Sequence, residues 1–125
     1  MPYQYKMMAQ KDFLRVEVSG HRSEKNIAAE AIELWTTITV ECRQQQLNKI
    51  LAIFDVVGKR TMMDTFDIVE GVQDLNWPEA KVAYVESNIQ HKKANLMAET
   101  TAQMHGIAFQ TFLCEETALQ WLLSD

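Results

Sequence analysis

Apolar and charged residues alternate near the start of the chain in the pattern of a β-strand. Within residues 13–18, every second side chain from Leu14 onwards is apolar and the ones between are charged, which is typical of a strand with one buried face. Residues 3–8 precede this segment across a four-residue turn. We therefore predict an opening β-hairpin that ends at Ser19 and Gly20.

The next segment has an apolar residue at every third or fourth position, which is the period of an α-helix. The residues on this stripe are Ile27, Ala31, Leu34, Ile38 and Cys42. The β-branched residues at 36–40 favour a strand, but the stripe continues through them, so we predict that they are helical. Ser23 is the predicted N-cap of this helix, and a helix-compatible pattern extends to Leu47.

A near-continuous apolar run at residues 49–57 is typical of a strand covered on both faces in a parallel sheet. Gly58 interrupts the run. Thr61 is the predicted N-cap of a second helix, because Asp64 stands three residues further on, in the position of a capping box. The predicted buried face of that helix consists of Phe66, Val69 and Val72.

The last third of the chain repeats the alternation of strand and helix. Residues 81–86 are predicted to form a strand, and Ser87 or Asn88 to cap the helix that follows. Ala94, Met97, Thr101 and Met104 are predicted to share one face of this helix. Gly106 suits its C-terminal end, and residues 107–123 have the pattern of a short strand followed by a final helix.

This order of elements predicts an α/β fold, in which an N-terminal β-hairpin leads into a mixed, mostly parallel sheet built from βα repeats. The chain has 125 residues, which is enough for one domain with its own core, and we predict a single domain over residues 1–125. The fractions of hydrophobic residues, 47%, and charged residues, 23%, are those of an ordinary soluble globular protein.

Charge and cysteine content narrow the functional classes. A net charge of -5 argues against a general nucleic-acid binder, since a phosphate backbone is neutralised by an excess of basic residues. No apolar run reaches the roughly 18 residues that span a bilayer, and the first residues lack a signal-peptide pattern. Two cysteines without such a signal favour free thiols, so we expect a cytoplasmic protein.

Four stretches spread over nearly the whole chain carry a family resemblance. They are Val18-Ser19-Gly20, Ile50-Leu51-Ala52-Ile53-Phe54-Asp55, Val82-Ala83-Tyr84-Val85, and Phe112 with Glu115-Glu116-Thr117-Ala118-Leu119-Gln120-Trp121-Leu122. In their order and spacing the chain resembles the SpoIIAA-like proteins, a group near the STAS domains of anti-sigma-factor antagonists. The acidic pair followed by Ala-Leu-x-Trp-Leu is the most specific part. The resemblance implies an α/β domain whose hairpin leads into a mixed sheet.

The resemblance also implies a function. STAS domains dock onto partner proteins, so it implies a non-enzymatic regulatory or protein-interaction module that binds a partner protein or a second copy of itself. Some related domains are switched by phosphorylation of a Ser or Thr at the start of the helix after the central strand. The usual Asp-Ser-Ser-Gly signature does not follow Asp55, and Thr61 is the hydroxyl nearest the matching position.

Basic residues are predicted to gather at one edge of the sheet. If the strands are parallel, the segments that follow the second, third and fourth strands emerge on the same side, where helix N-termini favour anions and open α/β sheets bind ligands. The candidate binding residues at this edge are Arg22, Lys59, Arg60, Thr61, Lys92 and Lys93. They would hold an anionic ligand or an acidic partner surface. The alternative is that these charges are ordinary solvated loop residues.

The methionines allow two interpretations. The chain has seven, and those at 62–63, 97 and 104 either fill a small core, which is the commoner use of Met, or line a groove for a small amphipathic ligand. Trp35 and Trp77 are predicted to mark an exposed contact patch, whereas Trp121 is predicted to be anchored against the sheet.

No catalytic residue, metal site or cofactor is predicted. His91 and His105 are nearly four helical turns apart, too far to share one ion. Cys114 precedes a helix N-terminus, which can lower the pKa of a thiol, but the sequence places no histidine base beside it. Cys42 lies on the stripe of the first helix and is predicted to be a packing residue.

Overall fold

Five strands and four α-helices alternate along the part of the chain that a computed structural model describes, residues 3–22, 25–58, 61–73 and 80–124. The strands are β1 Tyr3–Ala9, β2 Leu14–His21, β3 Lys49–Val57, β4 Lys81–Val85 and β5 Ala108–Phe112. The helices are α1 Ile27–Gln44, α2 Met62–Gln73, α3 Lys92–Met104 and α4 Glu115–Leu123, and a 3-10 turn, Ile89–His91, leads into α3.

The strands form one mixed sheet in sequence order, β1-β2-β3-β4-β5. β1 is antiparallel to β2, and the other neighbours are parallel, which confirms the predicted α/β fold with an opening hairpin. The predicted end of the hairpin is wrong. β2 continues through Ser19 and Gly20 to His21, because β3 is long enough to pair with them: Gly20 lies opposite Val56.

Three helices cover one face of the sheet and the fourth covers the other. Because the strand order follows the sequence and parallel crossovers are right-handed, α1, α2 and α3 fall on the same side. Their main apolar contributions to the larger core are Leu34, Trp35, Ile38, Val69, Val72 and Ala102. On the opposite face, Ala118 and Leu122 of α4 pack against Leu51, Ala83 and Val85.

The first helix confirms that residues 36–40 are helical. The hydroxyls of Thr36 and Thr39 donate to the carbonyls of Ile32 and Trp35 at 2.8 Å, so these side chains satisfy their polar groups within the helix, as β-branched threonine can. The predicted cap is wrong: α1 begins at Ile27 with residue 26 in the N-cap position. Ser23 itself lies outside the described residues.

The predicted extension of α1 to Leu47 overruns the helix, which ends at Gln44. Gln46 adopts a left-handed conformation with φ 58°. The backbone N–H of Leu47 donates to the carbonyl of Cys42 at 2.9 Å, and that of Gln46 to Arg43 at 3.1 Å, which is the Schellman pattern of a helix end. Glycine is the usual residue at the position of Gln46.

Gln46→Gly is therefore expected to raise the free energy of unfolding by about 0.5 to 1 kcal/mol, because glycine adopts a left-handed conformation without the steric cost that other residues incur. Urea denaturation measures the change. Gln45→Gly is the matched control, since the backbone of Gln45 has φ -89°, and there glycine should lower stability. Equal effects of the two substitutions would contradict the assignment of the helix end.

The second helix begins with the predicted capping box. The N–H of Asp64 donates to the hydroxyl of Thr61 at 3.0 Å, and the N–H of Thr61 donates to the carboxylate of Asp64 at 2.9 Å. Val69 is buried as predicted, but Phe66 is 43% exposed and Thr65 is buried in its place. Thr65 lies four residues before Val69, on the same helical face, whereas Phe66 is rotated away from that face.

The third helix is entered at Asn88, whose side chain accepts from the N–H of Gln90 at 3.0 Å. The face predicted to hold Ala94, Met97, Thr101 and Met104 is not the one that α3 buries. The buried residues are Asn95 and Ala102, each one position further along the chain than Ala94 and Thr101, and Met104 is 80% exposed. At the C-terminal end Gly106 has the expected positive φ, 79°. The final strand and helix follow as predicted.

Candidate ligand-binding cleft

A cleft opens at the edge of the sheet where the parallel strands end. Its volume is about 310 Å³, and we call it the outer cleft. It is lined by Arg22, Met62, Gln90, His91, Lys93, Ala94 and Met97. Arg22 follows β2 and Lys93 belongs to the first turn of α3, so parallel pairing brings residues 71 positions apart in the sequence to one place. Their role in binding stays a prediction.

The other predicted binding residues are placed differently. Lys59 and Arg60 lie outside the described residues. Thr61 is exposed beside Met62, and its hydroxyl caps α2. Lys92 is exposed at the start of α3 but does not line the outer cleft. Of the six candidates, Arg22 and Lys93 are therefore the two that the described structure brings to the cleft wall.

Arg22 is held in position by the end of β3. Its backbone N–H donates to the carbonyl of Val57 at 2.9 Å, and its Nη1 donates to the carbonyl of Gly58 at 2.7 Å. Gly58 has φ 115°, and a Cβ there would lie 3.2 Å from the Cβ of Arg22. Glycine thus permits the close approach. The guanidinium has five N–H donors in a rigid fork, and the bond to Gly58 engages one of its nitrogens.

A buried carboxylate lies beneath the cleft. Glu86, directly after β4, is 2% exposed. Its two oxygens lie 2.7 Å from Nδ1 of His91 and 2.7 Å from Nδ2 of Asn95. Sequence reasoning missed this group of Glu86, His91 and Asn95, which we call the Glu86 cluster. The available signal was that His91 and Asn95 are four residues apart, a spacing that puts two polar side chains on one helical face.

The Glu86 cluster orients His91 in the cleft wall. Because the carboxylate accepts the hydrogen bond from Nδ1, it selects the tautomer that carries a proton there, and Nε2 is the ring nitrogen that Glu86 does not engage. The outer cleft thus combines two basic side chains, an oriented imidazole and two methionine side chains. This combination can hold an anionic group and also contact an apolar one.

A second, smaller space lies between the three helices and the sheet. This inner cavity has a volume of about 70 Å³. Five aromatic side chains line it, Tyr3, Trp35, Phe54, Tyr84 and Phe109, and the last four form a row from α1 through β3 and β4 to β5. Successive ring centroids are 5.8, 4.7 and 5.8 Å apart. Such tilted and offset pairs are favourable arrangements for aromatic rings.

The position of Trp35 in this row of rings shows that the prediction of an exposed contact patch is wrong for this residue. Trp35 is buried, with 6% of its surface exposed. Trp77 lies outside the described residues. Trp121 packs on the sheet as predicted, with its ring centroid 5.7 Å from that of Phe112. The ammonium of Lys81 lies 4.6 Å from the Trp121 ring, within the range of a cation–π contact.

The core-filling interpretation of the methionines is wrong for three of them. Met62, Met63 and Met104 are 62%, 66% and 80% exposed. Met97 is half-buried and lines the outer cleft together with Met62. Met63 and Met104 do not line this cleft, so the structure brings two of the four methionines of the groove interpretation together, and a ligand there stays a prediction.

The cysteines have different surroundings. Cys42 is 5% exposed, as predicted for a packing residue, and burial raises the pKa of its thiol to about 11. Cys114 is exposed, and its contact with the hydroxyl of Thr117 at 3.2 Å lowers the pKa of its thiol. Within the described ranges, no three His, Cys, Asp or Glu side chains are grouped so that they could hold a metal ion.

A scan against protein-family models finds no match for the chain, and a search of curated proteins finds none. Among the helices of the described residues, none is both long enough and apolar enough to cross a membrane.

Proposed function

We propose that the outer cleft binds a small anionic ligand that also carries an apolar part, so that the protein acts as a carrier or sensor. The observation that carries the proposal is that Arg22 and Lys93 line one cleft together with Met62 and Met97. The chain as a whole has a net charge of -5. Two basic side chains in one concave site therefore oppose the overall charge and favour an anion locally.

The surroundings of the cleft support the same ligand chemistry. The cleft includes the start of α3, where the helix dipole favours negative charge. Arg22 is preorganised by its bond to Gly58, which lowers the entropic cost of binding. The carboxylate of Glu86 is buried, with its oxygens hydrogen-bonded to His91 and Asn95, and it does not line the cleft.

The test is an NMR titration of the ¹⁵N-labelled protein with inorganic phosphate and with butyrate. Arg22→Gln is expected to weaken binding about tenfold or more, because it removes a charge-assisted hydrogen bond. Lys93→Ala should weaken it by up to about fivefold, as exposed ion pairs are weaker. Lys25→Ala, an exposed residue that does not line the cleft, is the matched control.

Two outcomes would overturn the proposal. One is that neither phosphate nor butyrate shifts any resonance of a cleft residue at millimolar concentration. The other is that both probes bind but Arg22→Gln, Lys93→Ala and Lys25→Ala have equal effects, because binding would then depend on overall charge and not on the cleft.

The second candidate is the protein-interaction module that the resemblance to SpoIIAA-like proteins implies. It is supported by apolar side chains exposed in the first turns of α2, since Met63 is 66% and Phe66 43% exposed, and exposed apolar patches often mark contact surfaces. The hairpin that leads into parallel βα units is compatible with that family. Native mass spectrometry separates the candidates: extra mass lost on denaturation favours a carrier, and a dimer without extra mass favours the module.

A further inference from the structure

The outer cleft and the inner cavity share a wall. Arg22 lines both of them. The Glu86 cluster makes a second connection, because its carboxylate binds His91, which lines the outer cleft, and Asn95, which lines the inner cavity. Arg22 is therefore within reach of a group in either space.

The inner cavity is suited to a hydrocarbon group. Aromatic rings form one wall, and the helices contribute mainly aliphatic side chains, among them Leu34, Val69 and Ala98. Arg22, Thr65, Asn95 and Thr111 add polar groups to the lining. A mainly apolar space can accept an apolar guest. Burial of an alkyl group there would recover the packing contacts that an empty space lacks.

The volume of the inner cavity limits the size of the alkyl group that it can hold. A cavity of roughly 150 Å³ accepts benzene, and the inner cavity, at about 70 Å³, has about half that volume. A six-carbon ring is therefore too large without rearrangement of the helices, which densely packed interiors resist. A straight chain of about three carbons fits by the same comparison.

We propose that the outer cleft and the inner cavity form one composite site for a short straight-chain alkyl anion. The anionic head binds at Arg22, whose planar fork matches a carboxylate or a phosphate, and the alkyl chain enters the inner cavity beside Phe54 and Tyr84. The inference rests on the proposed function, because the head group uses the same cleft. It adds the class of ligand and a size limit for its tail.

The test uses the native chain and a series of carboxylates: acetate, propionate, butyrate, hexanoate and octanoate. NMR titration should show affinity rising about fourfold for each added methylene, which is the transfer free energy of a buried methylene expressed as an affinity ratio. The affinity should stop rising once the alkyl tail is longer than about three carbons. Resonances of Trp35 and Phe109, which line the cavity, should shift with butyrate and not with inorganic phosphate.

Ala98→Leu tests the cavity directly, because Ala98 lines it and is half-buried on α3. The larger side chain should lower butyrate affinity about fifteenfold, to that of acetate, and leave acetate binding unchanged. Ala29→Leu, an exposed position on α1, is the control. If Ala98→Leu does not fold, Ala98→Val provides a smaller filling group, and the chain-length series on the native protein needs no variant.

The outcomes separate this inference from the proposed function. If all carboxylates bind through Arg22 with equal affinity, the composite site is wrong and anion binding in the outer cleft stands. If neither the series nor inorganic phosphate binds, both are wrong. If alkyl phosphates show the chain-length dependence and carboxylates do not, the composite site is supported and its head group is a phosphate.

Discussion

Replacing Glu86 with alanine is expected to lower the free energy of unfolding by about 3 kcal/mol, because the carboxylate makes two short hydrogen bonds in a buried position and each such bond to a charged group contributes about 1.5 to 3 kcal/mol. Glu86 is 2% exposed and lies 2.7 Å from both His91 and Asn95. Its backbone N–H, which donates to the carbonyl of Phe112 at 3.1 Å, remains in the variant. Urea denaturation followed by circular dichroism measures the loss.

Two further variants make the result specific to the buried cluster. Glu86→Gln keeps one acceptor oxygen and should lose about half as much stability, because one of the two partners stays bonded. Glu33→Ala removes a carboxylate from an exposed position on α1 and should change stability by less than about 0.5 kcal/mol. A loss for Glu86→Ala no greater than that for Glu33→Ala would show that the cluster does not stabilise the fold.

Leu122→Ala is expected to lower the free energy of unfolding by about 4 kcal/mol, since truncation of a fully buried leucine loses its transfer free energy and leaves a cavity. Leu122 is 0% exposed and belongs to the small core between α4 and the sheet, with Leu51, Ala83 and Val85. This core has few members to relax into the space. The cost should therefore lie in the middle or upper part of the range for Leu→Ala.

The adjacent Leu123→Ala is the matched control, because the same atoms are removed from a side chain that is 42% exposed. It should cost less than about 1 kcal/mol. Nζ of Lys81 binds the carbonyls of Trp121 and Ser124 at 2.7 Å, and both variants keep these backbone groups. Equal losses in thermal or urea unfolding would contradict the assignment of Leu122 to the core.

The helix faces show where sequence reasoning reached its limit. On α1 the predicted stripe is correct because four of its members are buried: Ala31, Leu34, Ile38 and Cys42. On α3 the apolar residues predicted a face that the helix does not bury. Asn95 takes the buried position because Glu86, from another element, supplies its hydrogen-bond partner, and a buried polar group needs such a partner.

The candidate site was predictable in outline. The expectation that parallel strands end at one edge placed Arg22 and Lys93 near each other, and both line the outer cleft. The inner cavity was not predictable, because a space of this kind depends on how side chains from three helices and the sheet fit together. Trp35 illustrates this: as a single residue it suggested an exposed surface, yet it forms part of the aromatic wall.

The amino-acid sequence by itself determined the class and order of the elements, the capping box at Thr61 and the helix end at Gly106, because each depends on residues within a few positions of one another. Only the tertiary structure decided which sides of α2 and α3 face the core, how Glu86 engages His91 and Asn95, and that Arg22 borders two adjoining spaces. These features depend on how separate elements pack together, where burial and hydrogen bonding outweigh local pattern.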